Sequence, residues 1–395
     1  MKLSQKITGC ALSPIRKFYP YVVAAQKRGI KIHALNIGQP DILTPEAYFE
    51  ALQNFRAKVL EYAPSPGIPE LIEAVQAYYA RLGAEFKTDD ILITTGGSEA
   101  LLMAMLCILD EGDEIIVPEP FYPNYNTFIR MAGGHICPLR TQPENGYRYA
   151  TREQVEPLIG PKTRALLVTN PGNPTGTVLT AQELCLMADI AKEHDLYLIC
   201  DEVYREFIYD GEMATAANFT DLEEHLILID SVSKRFSACG ARIGALISRN
   251  EELMANATKI AQARLSVATL DQVGAAALYS VDPAYFAETR EEYRRRRDVC
   301  YRKLMEIPGV VTTEPKGAFY TMAKLPIDNA ERFQMFLLKD FDYEGETVTF
   351  SSGSGFYATE GAGEQEIRIA YVRCCEELER ALEILKLAIA AYNQK

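Results

Sequence analysis

A lysine, two serines and an arginine occur close together in the second half of the chain. Lys234 follows an apolar run, Leu226–Ile229, that is typical of a short buried strand, and Arg242 comes eight residues after the lysine. A second cation nearby favours the neutral form of a lysine amine and makes it a better nucleophile. Ser231, Ser233 and Arg242 are donors that suit a phosphate group. An ordinary lysine on a solvated loop is the alternative, but it does not account for this grouping.

The spacing of these residues also matches a known signature. The run from Ser231 to Gly244 reads S-V-S-K-R-F-S-A-C-G-A-R-I-G. It resembles the lysine signature of the aminotransferase class I/II family, and the chain as a whole looks aspartate-aminotransferase-like. Members of this family have fold type I and use pyridoxal 5'-phosphate (PLP). The resemblance implies that Lys234 binds PLP covalently and then carries a proton as general base.

A glycine-rich turn supplies further donors for a phosphate. The run that begins at Ile91 predicts a strand that continues into a Gly-Gly pair and then a helix. Free N–H groups at a helix N-terminus attract anions. We therefore expect Gly97, Ser98 and Glu99 to contact the cofactor. A plain Gly-Gly turn is the alternative.

Polar side chains after two other predicted strands suit the rest of the cofactor. Asp201 closes the predicted strand Leu196–Cys200, where a carboxylate keeps the ring nitrogen of PLP protonated and the ring an electron sink. An Asp that only caps a helix is the alternative. Asn173, the second asparagine of the family string N-P-G-N-P-T-G, and Tyr204 are implied to hydrogen-bond the phenolic oxygen of PLP.

The resemblance also implies roles for two aromatic residues. Tyr122 follows a predicted strand and is expected to stack on the cofactor ring, with Phe121 and Tyr125 as alternatives. Tyr62 lies in a loop with two prolines and a glycine. In the family, the comparable tyrosine reaches the cofactor phosphate of the partner subunit. A homodimer with shared active sites is therefore implied by the resemblance alone.

The α-carboxylate of the substrate is expected to meet Arg368, Gly38 and Asn173. Arg368 lies in Glu366–Tyr371, a predicted strand, and the planar guanidinium of arginine suits bidentate capture of a carboxylate. Gly38 precedes a turn where backbone N–H groups can approach a ligand closely, although an ordinary turn is equally consistent. Arg16 is one candidate for reading an acidic substrate side chain.

One departure from the family lies upstream of Arg368. Relatives usually have Pro-Gly where this chain has Ser352-Gly353. The path of the segment Ser351–Gly363 is therefore not predicted.

Composition excludes several classes of protein. The 395 residues are 48% hydrophobic and 24% charged, which is typical of a soluble globular protein with two domains. The net charge of −13 disfavours binding to nucleic acid or to an anionic membrane. No signal peptide or membrane span is evident, so we expect a cytoplasmic protein. Nine cysteines without a C-x-x-C pair favour reduced thiols, and four scattered histidines predict no metal site.

The order of predicted elements indicates an α/β fold. Strands near residues 91, 115, 165, 196, 226 and 243 are mostly separated by helices. The resemblance implies the fold of a fold type I PLP-dependent transferase. Its large domain, residues 45–285, has a central seven-stranded, mostly parallel sheet. Residues 286–395 form a smaller α+β domain with the N-terminal arm, residues 1–44. We expect the basic run Arg294–Arg297 to be a solvated helix face.

These features predict a PLP-dependent aminotransferase. It moves an amino group between an L-amino acid, at the family level aspartate or another acidic one, and a 2-oxo acid such as 2-oxoglutarate. Aromatic and branched amino acids stay open as alternative substrates. A C–S lyase or a decarboxylase is the alternative, because PLP forms the carbanion and the pocket decides its fate. A PLP-sensing regulatory domain is a non-enzymatic alternative that the short segment before residue 32 disfavours.

Overall fold

The computed structural model describes residues 1–394, which form three sheets and the helices around them. The strands are β1 (Lys31–Ala34), β2 (Ile91–Thr94), β3 (Glu114–Glu119), β4 (His135–Arg140), β5 (Thr163–Thr169), β6 (Tyr197–Asp201), β7 (Leu226–Ser231), β8 (Gly244–Ile247), β9 (Tyr320–Lys324), β10 (Glu346–Thr349), β11 (Ser351–Ser352) and β12 (Glu366–Ala370). The α-helices are α1 (Gln5–Thr8), α2 (Tyr19–Lys27), α3 (Glu46–Asn54), α4 (Pro69–Arg81), α5 (Gly96–Ile108), α6 (Asn124–Met131), α7 (Arg152–Val155), α8 (Ala181–Glu193), α9 (Val232–Arg235), α10 (Glu251–Arg264), α11 (Thr269–Leu278), α12 (Pro283–Met305), α13 (Ala330–Lys339) and α14 (Cys375–Tyr392).

The central sheet has seven strands in the order β2-β8-β7-β6-β5-β3-β4. Strand β8 is antiparallel to both of its neighbours, and the other pairs are parallel. The predicted α/β class with a mostly parallel seven-stranded sheet is confirmed. The sequence-based strand set missed β4. This edge strand contains Pro138 and buries only Leu139 fully, so its apolar pattern is weak.

The central strands are apolar over most of their length because helices cover both faces of the sheet. Successive residues of a strand point to opposite faces. In β7, Leu226 and Leu228 therefore join one core cluster, whereas Ile227 and Ile229 join the other. Helices α4, α8 and α11 pack on the first face and helices α5, α6 and α10 on the second.

A smaller unit surrounds the antiparallel sheet β11-β12-β9 and the parallel pair of β1 with β10. Helices α12, α13 and α14 pack against these strands in a third apolar cluster. The N-terminal arm joins this unit because β1 pairs with β10. The domain limits at residues 45 and 285 stay a prediction, and the second falls inside α12. No helix within residues 1–394 is long and apolar enough to cross a membrane.

The basic run Arg294–Arg297 lies on α12, but the expectation of a solvated face is wrong for half of it. Arg296 and Arg297 are buried. Successive helix residues point about 100° apart, so four in a row cannot share one face. Arg296 donates to Asp41 Oδ1 at 2.6 Å and to the Val372 carbonyl at 2.7 Å, which stabilises its buried charge.

Candidate active site

A cavity of about 490 Å³ lies where the central parallel strands end against the smaller unit. Thr169, Asp201 and Ser231, the last residues of β5, β6 and β7, line one side. Tyr320 of β9 and Arg368 of β12 line the other. Ligands of open α/β sheets bind at this edge.

Most of the predicted site residues line this one cavity. Those that do are Gly38, Gly97, Ser98, Tyr122, Asn173, Asp201, Tyr204, Ser231, Ser233, Lys234, Arg242 and Arg368. The structure thus brings together residues from both units of the fold.

Lys234 lies on α9, a single helical turn that follows β7. Ser231 starts this turn, because its Oγ accepts a hydrogen bond from the Ser233 amide at 3.1 Å. The Lys234 Nζ points into the cavity, where it donates to the Gly38 carbonyl at 3.1 Å. The Cys239 Sγ lies 3.7 Å from the same nitrogen. The amine is therefore held at the cavity wall.

The N-terminus of α5 and Arg242 form a site for an anion. Thr95 makes no side-chain cap on α5, so the first-turn N–H groups are open to a ligand. Strand β8 runs against its neighbours, so Arg242, just before it, reaches the edge where β2 ends. A Cβ on Gly96 would overlap the Arg242 guanidinium, and a Cβ on Gly244 would overlap the Gly96 backbone. Arg242 and the start of β8 therefore lie this close to the start of α5 only with glycine at both positions.

Asp201 is a buried carboxylate at the end of β6. Tyr125 donates to its Oδ2 at 2.5 Å, and Thr169 Oγ1 lies 2.8 Å from the same phenol. Burial raises the pKa of Asp201 to about 6, against the lowering effect of the Tyr125 hydrogen bond and of Lys234. A cation in the cavity would stabilise the ionised form.

Arg368 is buried at the opposite wall, in the central strand of the small sheet. It donates to Asn173 Oδ1 at 3.0 Å and to the Asn36 carbonyl at 2.6 Å, and its Nε has no partner within residues 1–394. Its guanidinium lies over the rings of Tyr320 and Phe356. Burial lowers the pKa of Arg368. These contacts leave its charge without a carboxylate, so the position suits an anionic ligand.

Two tyrosines and an asparagine connect these walls. The Tyr204 hydroxyl lies 3.4 Å from Asn173 Nδ2 and 3.0 Å from the Tyr320 hydroxyl. Burial and the neighbouring Tyr320 raise the pKa of Tyr204 well above its usual value. Tyr204 therefore stays a neutral phenol that can donate a hydrogen bond.

Comparison with known proteins decides the family. The family model described as aminotransferase class I and II matches residues 30–385. The chain belongs to the aminotransferase class I and II family.

Individual relatives match nearly the whole length of this chain. The chain is 34% identical to the probable aspartate/prephenate aminotransferase of Thermus aquaticus, over 96% of this chain and 97% of the relative. It is 34% identical to aromatic-amino-acid aminotransferase 2 of Thermococcus litoralis, over 97% of both chains. The solved structure of the Thermus thermophilus aspartate aminotransferase with maleate superposes with a TM-score of 0.89 at 30% identity, covering 98% of this chain and 100% of that one. The predicted family, fold and enzyme class are confirmed.

In this aminotransferase, Tyr122, the predicted stacking residue, lies at the cavity wall. The side chain is partly buried, and Asn124 Nδ2 donates to its hydroxyl at 2.7 Å. Burial raises the pKa of Tyr122 to about 12. The alternatives Phe121 and Tyr125 are both buried, and Tyr125 is occupied with Asp201. The geometry therefore favours Tyr122 as the stacking residue.

Gly38 lies between the two walls of the cavity. A Cβ at this position would overlap the Tyr320 hydroxyl, so only glycine fits. Its carbonyl accepts the hydrogen bond from Lys234.

Two predicted contacts lie outside the cavity. The Glu99 Oε2 accepts from the Thr95 amide at 2.6 Å and from Arg264 Nη1 at 2.7 Å. This carboxylate therefore holds the start of α5 instead of facing the cavity. Tyr62 is 82% exposed and borders a separate surface hollow with Leu60.

Sequence reasoning missed the contacts by which several residues line or support the cavity. Tyr125 and Thr169 support Asp201 from elements 76 and 32 residues away, and no local signal pairs them. Asn36 holds Arg368 through a backbone carbonyl, which leaves no trace in the sequence. Cys239 lies inside the lysine signature, and its place in that run was a signal in the sequence that it lines the cavity.

A group of possible metal ligands lies elsewhere. Glu156, Glu193 and His194 bring ligand-type atoms within 4.8 Å of one another. Arg152 donates to both carboxylates, at 2.5 and 2.7 Å. We describe this group as an ion-pair network, because Arg152 binds both carboxylates and compensates part of their negative charge.

Proposed function

We propose that this aminotransferase binds PLP in the cavity and transfers an amino group between an acidic L-amino acid and 2-oxoglutarate. The family is known to use PLP. The observation that carries the proposal is the convergence of Lys234, Asp201, Arg242 and Arg368 on one cavity. An amine, a buried carboxylate and two guanidinium groups match the aldehyde, pyridinium, phosphate and substrate carboxylate that the reaction brings together.

The phosphate of PLP fits the anion site. Gly97 and Ser98 would supply N–H donors at the start of α5, and Ser98 a hydroxyl. Ser231, Ser233 and Arg242 line the same cavity and would complete the donor set. A Cβ at residue 96 would overlap the Arg242 guanidinium, so this cation lies directly against the backbone at the start of α5, beside the proposed N–H donors.

The ring of PLP fits between Asp201 and Tyr122. Ionised Asp201 would pair with the protonated ring nitrogen, which offsets the cost of its burial. Asn173 and Tyr204 would donate to the phenolic oxygen. Tyr122 would stack on the ring face.

The α-carboxylate of the substrate fits at Arg368. A buried guanidinium without a carboxylate partner is costly unless a ligand supplies one. Its planar group can bind a carboxylate through two parallel hydrogen bonds. Gly38 keeps the neighbouring backbone close enough to take part.

PLP, when bound, supplies an electron sink that stabilises negative charge at the substrate Cα. With PLP bound, Lys234 Nζ would take the proton from the substrate Cα as general base and would return a proton on the cofactor side, to the carbon that comes to carry the amino group. Arg368 fixes the orientation of the substrate during this step, because its own position is set by Asn173 and Asn36.

Relatives support transamination over the alternatives. The two curated relatives described above are named aminotransferases, one acting on aspartate or prephenate and one on aromatic amino acids. The superposed Thermus thermophilus enzyme was solved with maleate, a dicarboxylate. An acidic substrate is thus the favoured choice, and the lyase, decarboxylase and regulatory alternatives have no support from these names.

We also infer a homodimer in the cytoplasm. Val59, Leu60, Tyr62 and Leu265 leave large apolar side chains exposed, as a partner surface requires. In such a dimer, Tyr62 would reach the cofactor phosphate of the other subunit. Nine free cysteines in the structure suit a reducing compartment.

Reductive trapping tests the cofactor assignment. Borohydride treatment of the protein reconstituted with PLP is expected to attach a pyridoxyl group to the peptide that contains Lys234, detected by mass spectrometry. The variant Lys234→Ala is expected to carry no label and to lose transamination. A label on another lysine, or wild-type turnover by the variant, would contradict the proposal.

A further inference from the structure

The charges around the cavity leave one cation without a proposed partner. Among the described residues that line it, the cations are Arg16, Lys234, Arg242 and Arg368, and the carboxylate is Asp201. The proposed function assigns the cofactor phosphate to Arg242, the pyridinium to Asp201 and the substrate α-carboxylate to Arg368. Lys234 forms the link to the cofactor. Arg16 has no assigned anion.

Within residues 1–394, the Arg16 guanidinium has no hydrogen-bond or ion-pair partner. Its contacts are made by the backbone: its N–H donates to the Ser13 carbonyl at 3.1 Å, and its carbonyl accepts from Tyr19 at 3.1 Å. The next residue, Lys17, forms an ion pair with Glu331 at 2.7 Å. Glu331 therefore neutralises one of two adjacent cations of the arm, and the other stays at the cavity rim.

The arm holds Arg16 in a fixed place. Asn36 Nδ2 donates to the Ile15 carbonyl at 3.1 Å, directly before Arg16. The Asn36 carbonyl accepts from Arg368 Nη2 at 2.6 Å. Asn36 thus connects the buried Arg368 to the segment that carries the exposed Arg16.

A second contact comes from the segment whose path the sequence did not predict. Gly355 packs so closely on Pro14 that a Cβ at residue 355 would overlap the proline ring. Together with the Lys17–Glu331 pair, this contact seats the arm on the smaller unit. Ile15 and Ile37 also line the cavity and offer apolar surface for methylene groups.

We propose that Arg16 is the specificity-determining residue that binds the second carboxylate of a dicarboxylic substrate. Arg368 binds the α-carboxylate at the buried end, and Arg16 binds the distal one at the rim. Arginine suits this role because its fork matches a carboxylate in two hydrogen bonds. The inference rests on the proposed function and names the residue that sets its substrate class: four- and five-carbon amino and oxo acids with two carboxylates.

The test compares Arg16→Gln with the matched control Lys2→Gln, which removes the same charge from the exposed start of the arm. Single-turnover half-reactions with PLP-loaded enzyme use L-aspartate, L-glutamate and L-alanine, so no acceptor acid is present. Succinate and butyrate, which have the same number of carbons, serve as binding probes followed by the cofactor absorption.

Arg16→Gln is expected to lower the apparent second-order rate constant for aspartate and glutamate about 10- to 100-fold, as for a lost charge-assisted contact. Alanine is expected to change less than about twofold. Succinate binding weakens in parallel and butyrate binding does not. Lys2→Gln matches the wild type with every ligand.

Equal losses for alanine and glutamate would overturn the inference, because Arg16 would then only support the arm. An unchanged preference of Arg16→Gln for aspartate and glutamate over alanine would overturn it as well. Wild-type enzyme that reacts with alanine but not with dicarboxylic acids overturns the role of Arg16 and leaves transamination intact. Wild-type enzyme that binds PLP but reacts with no amino acid overturns the proposed function itself.

Discussion

Asp201 is the residue through which protonation of the protein would affect binding of the proposed cofactor. Burial disfavours its charge and raises its pKa to about 6, whereas the hydrogen bond from Tyr125 stabilises the carboxylate. A pyridinium bound beside it would favour the ionised form further. By linkage, the ionised form in turn favours binding of the pyridinium.

This coupling predicts a pH dependence of PLP affinity. Asp201 is ionised above its pKa of about 6 and protonated below it, so wild-type affinity is expected to fall as the pH drops from 7 to 5. Tyr125→Phe removes a contact that lowers this pKa, so the fall should begin at a higher pH. Equilibrium dialysis of the apo-protein measures both profiles.

The control for this experiment is Asp201→Asn. Its weaker binding reports only the titration of PLP itself, which has its own phosphate pKa near 6. A wild-type profile parallel to that of Asp201→Asn would show that the Asp201 carboxylate does not hold the ring nitrogen.

At the scale of elements, the reversed strand β8 builds the anion site. Thr94 and Ser231, the last residues of β2 and β7, both pair with Gly244 at the start of β8. Arg242 is therefore carried to the edge where α5 begins. The arginine itself has a left-handed backbone, with φ of 53°, which turns the chain sharply at this point.

Gly96→Ala is expected to damage this site selectively. The new Cβ would overlap the Arg242 guanidinium and would sit on a backbone with φ of +71°. We expect PLP affinity to fall about 10- to 100-fold through loss of a charge-assisted contact, and stability to fall by about 1 kcal/mol through backbone strain. Titration with PLP and thermal unfolding measure the two effects.

Gly160→Ala is the matched control. A Cβ at residue 160 meets nothing within 4 Å. It is expected to leave PLP affinity unchanged. Equal affinity of both variants for PLP would contradict the assignment of the anion site.

The elements also explain what the sequence predicted well. Motifs such as the run around Lys234 directly follow apolar strands. Because parallel strands end at the same edge of a sheet, the residues of these motifs lie close together there. Side-chain pairing across elements was not predictable. Glu99 lies in the right motif, but Arg264 turns its carboxylate away from the cavity. Arg296 is buried because Asp41, 255 residues away, compensates its charge.

For the whole molecule, the proposed homodimer gives a role to Tyr62, which is exposed in the single chain. Its ring borders no part of the cavity in its own chain. If each site uses Tyr62 of the other subunit, Lys234 and Tyr62 of one chain serve different sites. This arrangement has a consequence for mixed dimers.

Co-expression of Lys234→Ala and Tyr62→Ala chains with different tags tests this consequence. The purified heterodimer is expected to contain one intact site and to show about half of the wild-type activity per dimer, whereas both parent dimers are impaired. If Tyr62 acts within its own chain, the heterodimer has no intact site. Its activity would then be half of the Tyr62→Ala parent or less.

The central claim is that Lys234 and PLP carry out reversible transamination in this cavity. The most direct test follows the absorption of the PLP-loaded enzyme during addition of L-glutamate and then 2-oxoglutarate. The account predicts that glutamate converts the cofactor to its pyridoxamine form with release of one oxo acid per cofactor, and that 2-oxoglutarate restores the first spectrum. Release of ammonia or CO₂ without this reversible conversion would contradict it.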